Sequence, residues 1–296
     1  MGIGIIYLKL KKKKRNYIFY ILVLCVLLCG IILDSEANEL RINFIDVGEG
    51  DSILIQTPKD KAILIDAGNI ISGFKVVEYL KEKGINNLEY LILTHPHLDH
   101  IGGVFFVLQM IKVSKISDNG ENLDQLTASN DLYRWYEELV RHRNDYSVLK
   151  ADDKFSIDGL NFKIIWPYWP LVFSDFNSNS LAVLLEYKGF KCLLASDLTA
   201  KSEEEILKRS DDYKKIDILK VAHHGSKDAS EKDFLKALSP KIAIISVNKN
   251  NIRRYPSKKI LQRLSELGSI IYRTDKDGDI TAYVDERRNI RILTEK

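Results

Sequence analysis

Beyond residue 37 the chain alternates short apolar runs with turn formers. Leu40 to Asp46, Ser52 to Gln56 and Ala62 to Asp66 have strand length and are parted by Gly48, Gly50 and Pro58-Lys59-Asp60, which predicts a β-meander. From Gly73 to Lys83 the period changes, with Phe74, Val77, Tyr79 and Leu80 mostly at helical spacing. A buried strand, Tyr90 to Leu93, then runs directly into Thr94-His95-Pro96-His97-Leu98-Asp99-His100-Ile101-Gly102-Gly103, and the two glycines open a helix towards Met110. A polar helix is expected over Leu132 to Arg143. Strands at Phe155 to Ile157, Asn161 to Trp166, Leu181 to Tyr187 and Lys191 to Ala195 lead to a helix at Ser202 to Lys208. A strand from Ile216 to Val221 delivers His223-His224, followed by a helix near Lys232 to Leu238, a strand Ile242 to Val247, a helix Lys258 to Leu267 and closing strands. No low-complexity linker divides this order. It predicts an α/β fold in which two mixed β-sheets pack face to face with helices outside.

Residues 1 to 37 break the pattern. Lys9, Lys11, Lys12, Lys13, Lys14 and Arg15 precede an uncharged apolar stretch, Tyr17 to Leu33, which ends at Asp34-Ser35-Glu36. Two readings fit: an uncleaved signal anchor, or a signal peptide cut after Ser35-Glu36-Ala37. Both keep the basic cluster in the cytosol and export residues 38 to 296, either tethered to the membrane or secreted. Cys25 and Cys29 belong to this stretch, so Cys192 stands alone beyond it and an internal disulfide framework is excluded. The formal charge of +3 also depends on the start of the chain, where six basic side chains meet two acidic ones. A general basic surface for nucleic acid is therefore absent, although Lys249, Arg253, Arg254, Lys258 and Lys259 form a local cluster able to meet phosphate.

The chemistry is concentrated in the histidines. Three of the six fall in the run from His95 to His100, two form the pair His223-His224, and His142 lies in a charged surface stretch. On extended backbone His95 and His97 point to one side and converge on one cation, while Asp99 and His100 can address a neighbouring one as the chain turns into a helix. A dinuclear site prefers an anionic bridge, and Asp197 stands at the end of a strand where an unpaired inward carboxylate is costly. His223 and His224 begin where another strand ends, and Asp66, at the end of a third, can orient a ligand histidine from behind.

At these residues the chain resembles the metallo-β-lactamase superfamily, whose signature is His-x-His-x-Asp-His followed by a later aspartate and a later histidine. Phe44-Ile45-Asp46-Val47-Gly48-Glu49-Gly50-Asp51-Ser52, Ile65-Asp66-Ala67-Gly68, Asn179-Ser180-Leu181, Ser196-Asp197, Lys220-Val221-Ala222-His223-His224-Gly225-Ser226 and Tyr272-Arg273-Thr274-Asp275-Lys276-Asp277-Gly278 resemble, more narrowly, the lactamase-like domain of ComEC-type competence DNA-uptake proteins. The resemblance runs from Leu40 to about Val284. It implies an αββα sandwich with two divalent ions, zinc or manganese, and hydrolysis of a phosphodiester such as DNA by a metal-bound hydroxide that Asp99 holds. Carried over by position, His95, His97 and Asp197 hold the first ion, and Asp99, His100, Asp197 and one of His223 and His224, preferably His224, hold the second. Many members give the first ion a third histidine; here the corresponding stretch offers Asn177, Asn179 and Ser180, which points towards weaker binding or manganese. Glu49 departs from the usual Gly-Gln-Gly, and Tyr255-Pro256-Ser257 from a frequent His-Pro-Ser. Tyr255 is the candidate hydrogen-bond donor to a phosphoryl oxygen or leaving group, and Asn179, Ser180, Arg253 and Arg254 are the candidate substrate contacts. Rival expectations are a phosphocholine esterase acting on an envelope polymer and a non-catalytic, membrane-tethered component of a DNA-uptake apparatus.

Overall fold

A computed structural model describes residues 39–209 and 213–296. The basic and apolar segments at residues 1 to 37 lie outside the described residues. Among the described residues no helix is long and apolar enough to cross a membrane.

All described elements fall in the compact unit Leu40–Lys296. The first half supplies β1 (Leu40–Phe44), β2 (Ile53–Gln56), β3 (Ala62–Ile65), β4 (Asn87–Leu88), β5 (Tyr90–Ile92), β6 (Lys112–Val113), β7 (Ile116–Asp118) and β8 (Tyr146–Val148). The second supplies β9 (Lys154–Ile157), β10 (Leu160–Trp166), β11 (Ala182–Tyr187), β12 (Phe190–Leu194), β13 (Ile218–Lys220), β14 (Ile242–Ile245), β15 (Ile270–Arg273), β16 (Ile280–Val284) and β17 (Ile290–Thr294). One sheet has the order β17-β16-β1-β2-β3-β5-β7-β8, the other β15-β14-β13-β12-β11-β10-β9, and β4 and β6 form a small parallel ribbon. The meander β1-β2-β3 is antiparallel, as its short turns require. From β3 to β8 in one sheet and from β12 to β15 in the other, pairing is parallel, each step crossing over through helix.

The central strands are apolar at nearly every position, and the sheets sort successive residues to opposite faces. Ile53, Ile55, Ile63, Ile65, Tyr90 and Ile92 meet Phe162, Ile164, Val183, Leu185, Cys192 and Leu194 in the core between the sheets. The intervening Leu54, Leu64, Leu91 and Leu93 face outward to Val76, Val77 and Leu80 of the helix Gly73–Glu82 and Val104 and Val107 of the helix Val104–Met110. On the far side Leu184, Leu193, Leu219 and Ile245 pack on Ile206, Phe234, Leu235, Ile260 and Leu264 from three further helices. Three apolar layers between four structural layers make the fold an αββα sandwich.

Two expectations change in detail. The helix from Gly73 buries Val76 with Val77, Tyr79 and Leu80, and leaves Phe74 48% exposed, because a face with spacing of three and four residues runs through Gly73, Val76, Val77 and Leu80. The polar helix comprises a regular turn, Asp131–Tyr136, followed by a π-helical turn, Glu137–Arg141, which carries Arg141 to Asp118 at 2.7 Å.

Candidate metal centre

Parallel strands end on the same rim, and the loops after β3, β5, β12 and β13 bring Asp66, the histidine run, Asp197 and the histidine pair to one place. The backbone bends sharply to do so. Asp66, Ser196, His223 and His224 have φ of 58°, 45°, 49° and 53°, a region that costs a non-glycine residue about 1–3 kcal/mol and concentrates at functional sites.

Each inner histidine has one ring nitrogen committed to a scaffold partner. His100 donates from Nδ1 to Asp66 Oδ2 at 2.7 Å, and Asp66 also accepts from the Thr94 backbone N–H at 2.7 Å and the Thr94 hydroxyl at 2.8 Å. Ser196 donates to the Thr94 hydroxyl oxygen at 2.7 Å, and His95 Nδ1 lies 3.1 Å from it. His224 donates from Nδ1 to the Ser246 carbonyl at 3.0 Å. These contacts leave Nε2 of His95, His100 and His224 facing inward. His97 turns Nδ1 to within 3.0 Å of His95 Nε2, its ring edge packed 5.6 Å from Phe176.

Asp197 lies between two sets of nitrogens. Oδ1 is 3.4 Å from His100 Nε2 and 3.4 Å from His224 Nε2; Oδ2 is 4.0 Å from His95 Nε2 and 3.9 Å from His223 Nε2. Asp99 Oδ2 reaches His224 Nε2 at 3.9 Å from the open side. His100 Nε2, His224 Nε2 and Asp197 Oδ1 are all buried without a hydrogen-bond partner. Orphaned polar atoms are costly, and three converging from residues that ligate cations fit a divalent ion. His95, His97 and Asp197 form one set of atoms within 4.8 Å of one another; Asp99, His100 and His224 form a second.

Burial holds His95 well below the ordinary imidazole range, with the charges of His100 and His97 adding to it, and lowers His97 and His223 as well. All three shifts favour the neutral imidazole, the form that binds a cation. For His100 burial acts in the same direction but the Asp197 and Asp66 carboxylates outweigh it and raise the imidazole well above its usual value. Asp197 is held well below the carboxylate range, where His224 and His100 overcome the effect of burial.

Tyr255 arrives beside the centre, its ring 5.8 Å from that of His223. Arg253 extends over the rim to Glu49 at 2.9 Å, whereas Arg254 is exposed and joins its loop through a backbone hydrogen bond to Asn251. Asn179 and Ser180 are fully buried, and Asn179 Oδ1 and Ser180 Oγ lack a hydrogen-bond partner. The Asn179 amide nitrogen donates to Glu121 Oε2 at 3.0 Å and to the Phe173 carbonyl at 2.8 Å, which bolts down the segment whose Asn177 reaches His223 Nε2 at 3.3 Å. His142 is exposed and apart from the cluster. Residue patterns did not single out Thr94, Phe176, Ser246 or Glu121, whose roles exist only through partners distant in sequence.

Burial pushes Glu121 up from the ordinary 4.5 to about 7. A carboxyl group raised on folding contributes stability below its unfolded value and loses it as pH rises through the folded value. The melting temperature of the wild type should therefore fall relative to Glu121→Gln between pH 4.5 and 8, by roughly a few degrees; parallel curves would show that Glu121 titrates normally.

Residues 45–247 match the profile described as the Metallo-beta-lactamase superfamily. The chain is similar to ComE operon protein 3 of Bacillus subtilis (strain 168), at 33% identity over 261 residues covering 82% of this chain and 33% of that protein. Recombination protein 2 of Haemophilus influenzae is 30% identical over 263 residues, covering 86% and 30%. The chain thus spans about a third of the length of these curated relatives. Among solved structures, the metallo-beta-lactamase fold protein YhfI from Bacillus subtilis superposes with a TM-score of 0.55 at 11% identity over 83% of this chain and 99% of that one. CmlA, a diiron β-hydroxylase from Streptomyces venezuelae, superposes with a TM-score of 0.54 at 11% identity over 82% and 54%, which shows a shared fold.

Proposed function

The chain belongs to the metallo-beta-lactamase superfamily, and from that premise we propose that it is a two-metal phosphodiesterase acting on DNA outside the cytoplasmic membrane. The fold supports a metal-dependent hydrolase in general, and the finer reading rests on Asp197, whose two oxygens face two sets of imidazoles. His95, His97 and Asp197 would hold one divalent ion; Asp99, His100, Asp197 and His224 would hold the other. Manganese or zinc suits these mixed sets of nitrogen and oxygen donors. When bound, such a pair supplies Lewis-acid stabilisation of charge on phosphoryl oxygens and makes water nucleophilic near neutral pH.

The chain's own groups do the positioning. Asp99, on the open side, orients the attacking water in line with the phosphorus. Arg253 draws the phosphate to the rim when it exchanges Glu49 for substrate, and the Tyr255 hydroxyl donates to a phosphoryl oxygen or the leaving group. Asp66 keeps His100 in the tautomer that presents Nε2. Asp66→Asn should lower metal affinity about 10- to 100-fold, the usual effect of removing such a partner, read by competition with a chelator; unchanged affinity would assign Asp66 to folding alone.

DNA is favoured as substrate by the relatives' names, which include Recombination protein 2 and Competence protein ComA of Neisseria gonorrhoeae. The basic and apolar start supports an exported domain, anchored or released, working with a DNA-uptake apparatus. The deciding experiment measures metal content and hydrolysis of bis-p-nitrophenyl phosphate by the full chain with manganese or zinc, then compares single-stranded DNA, duplex DNA and a choline phosphodiester. Hydrolysis of DNA above the others supports the proposal. Preference for the choline ester would replace DNA by an envelope polymer, and absence of any metal-dependent hydrolysis would leave a non-catalytic component.

A further inference from the structure

Two charged side chains at the base of this centre have no part in the ligand sets above. Asp51 is 1% exposed and Lys220 0% exposed, and the Lys220 ammonium lies 2.5 Å from Asp51 Oδ2. The same ammonium donates to the Ser196 carbonyl at 3.3 Å. Lys220 therefore ties the end of β13, three residues before the histidine pair, to the loop before β2 and to the residue preceding Asp197. The second carboxylate oxygen, Asp51 Oδ1, is buried without a hydrogen-bond partner. It lies 3.9 Å from His224 Nδ1, but that nitrogen gives its hydrogen to Ser246. A carboxylate oxygen of Asp51 falls within 4.8 Å of ligand atoms of both His100 and Asp197, whose Nε2 and Oδ1 are orphaned in the same way.

Stability alone gives little reason for this pair. Removing two charges from water costs more than their attraction returns unless every remaining hydrogen-bonding position is filled, and apolar residues of similar volume often serve as well or better. Here an anionic oxygen stays unfilled beside two other unfilled atoms. We propose that Asp51 is a third carboxylate donor to the second cation, acting through Oδ1 and held in place by Lys220 on its other oxygen. The inference rests on the two-metal reading and deepens it. With Asp51, Asp99 and Asp197 opposite His100 and His224, the second position becomes oxygen-rich with more than four donors. Manganese accepts such a set, whereas structural zinc sites prefer four nitrogen or sulfur ligands. Lys220 offsets the added negative charge, so the centre gains a donor without gaining net charge.

Manganese binding to the purified full chain, followed through the electron paramagnetic resonance signal of free Mn2+, tests this in the wild type, in Asp51→Asn and in Asp51→Leu/Lys220→Met. The double replacement exchanges the ion pair for an apolar one and should retain the fold. The wild type is expected to bind two ions. Both variants should keep the ion held by His95, His97 and Asp197 and lose about tenfold or more in affinity for the other. Two ions bound with wild-type affinities by a folded double variant would overturn the role of Asp51 while leaving the two-metal reading intact. Fewer than two ions bound by the wild type would overturn both. The Co2+-substituted protein provides a second readout: visible bands that intensify from the wild type to Asp51→Asn, as a donor is lost, support the proposal, and identical spectra refute it.

Discussion

Asp197→Ala is expected to leave less than one metal ion per chain and to reduce phosphodiester hydrolysis by at least about 10³-fold, or roughly 4 kcal/mol of transition-state stabilisation. The two oxygens of Asp197 face both sets. Its Oδ1 stands 3.4 Å from Nε2 of His100 and of His224, and its Oδ2 4.0 Å from Nε2 of His95 and 3.9 Å from Nε2 of His223. Deleting it brings imidazoles together with no anion between them, and removes the main charge that keeps His100 high. Metal content by atomic emission and turnover of bis-p-nitrophenyl phosphate measure the two losses separately. Two ions retained, or more than a tenth of the activity, would show that Asp197 is not the bridge.

Gly50→Ala should destabilise the fold by about 4 kcal/mol, lowering the melting temperature by roughly 10 °C. Gly50 has φ of +111°, which L residues avoid, and a Cβ there would lie 1.8 Å from the Asp99 carbonyl oxygen and 2.8 Å from its carbon. Neither atom can move without shifting the first turn of the helix Leu98–Ile101, which carries Asp99 and His100. Gly159→Ala is the control. Its φ is +83° but nothing lies within 4 Å of a Cβ, so it should cost only about 1 kcal/mol. Equal melting temperatures for the two variants would mean that backbone conformation, not the approach to Asp99, sets the cost.

Much of this site is legible along the chain because its parts are local. His95, His97, Asp99 and His100 lie within one turn of backbone, and a strand ending in Asp or His shows as an apolar run that stops at a polar residue. Asp51 and Lys220 are not legible in that way. Lys220 lies inside the run Ile216 to Val221, where a lysine ordinarily turns its ammonium to water, and its meaning depends on a carboxylate from a loop far upstream. Asn179 is similar: the tie of its amide nitrogen to Glu121 and to the Phe173 carbonyl exists only in the folded chain.

Strand and helix identities, their order and the clustering of imidazole follow from the chain, since apolar period, turn residues and ligand spacing act over a few neighbouring residues. Which face of an all-apolar strand such as Ala62–Ile65 meets the other sheet is a matter of pairing register, because every position is equally willing to be buried. The same holds for the centre. The histidine run sets out the ligands, but the division of Asp197 between two sets, the inward turn of His224 and the buried Asp51–Lys220 pair arise where loops from four strands converge, through contacts between residues that are remote in sequence.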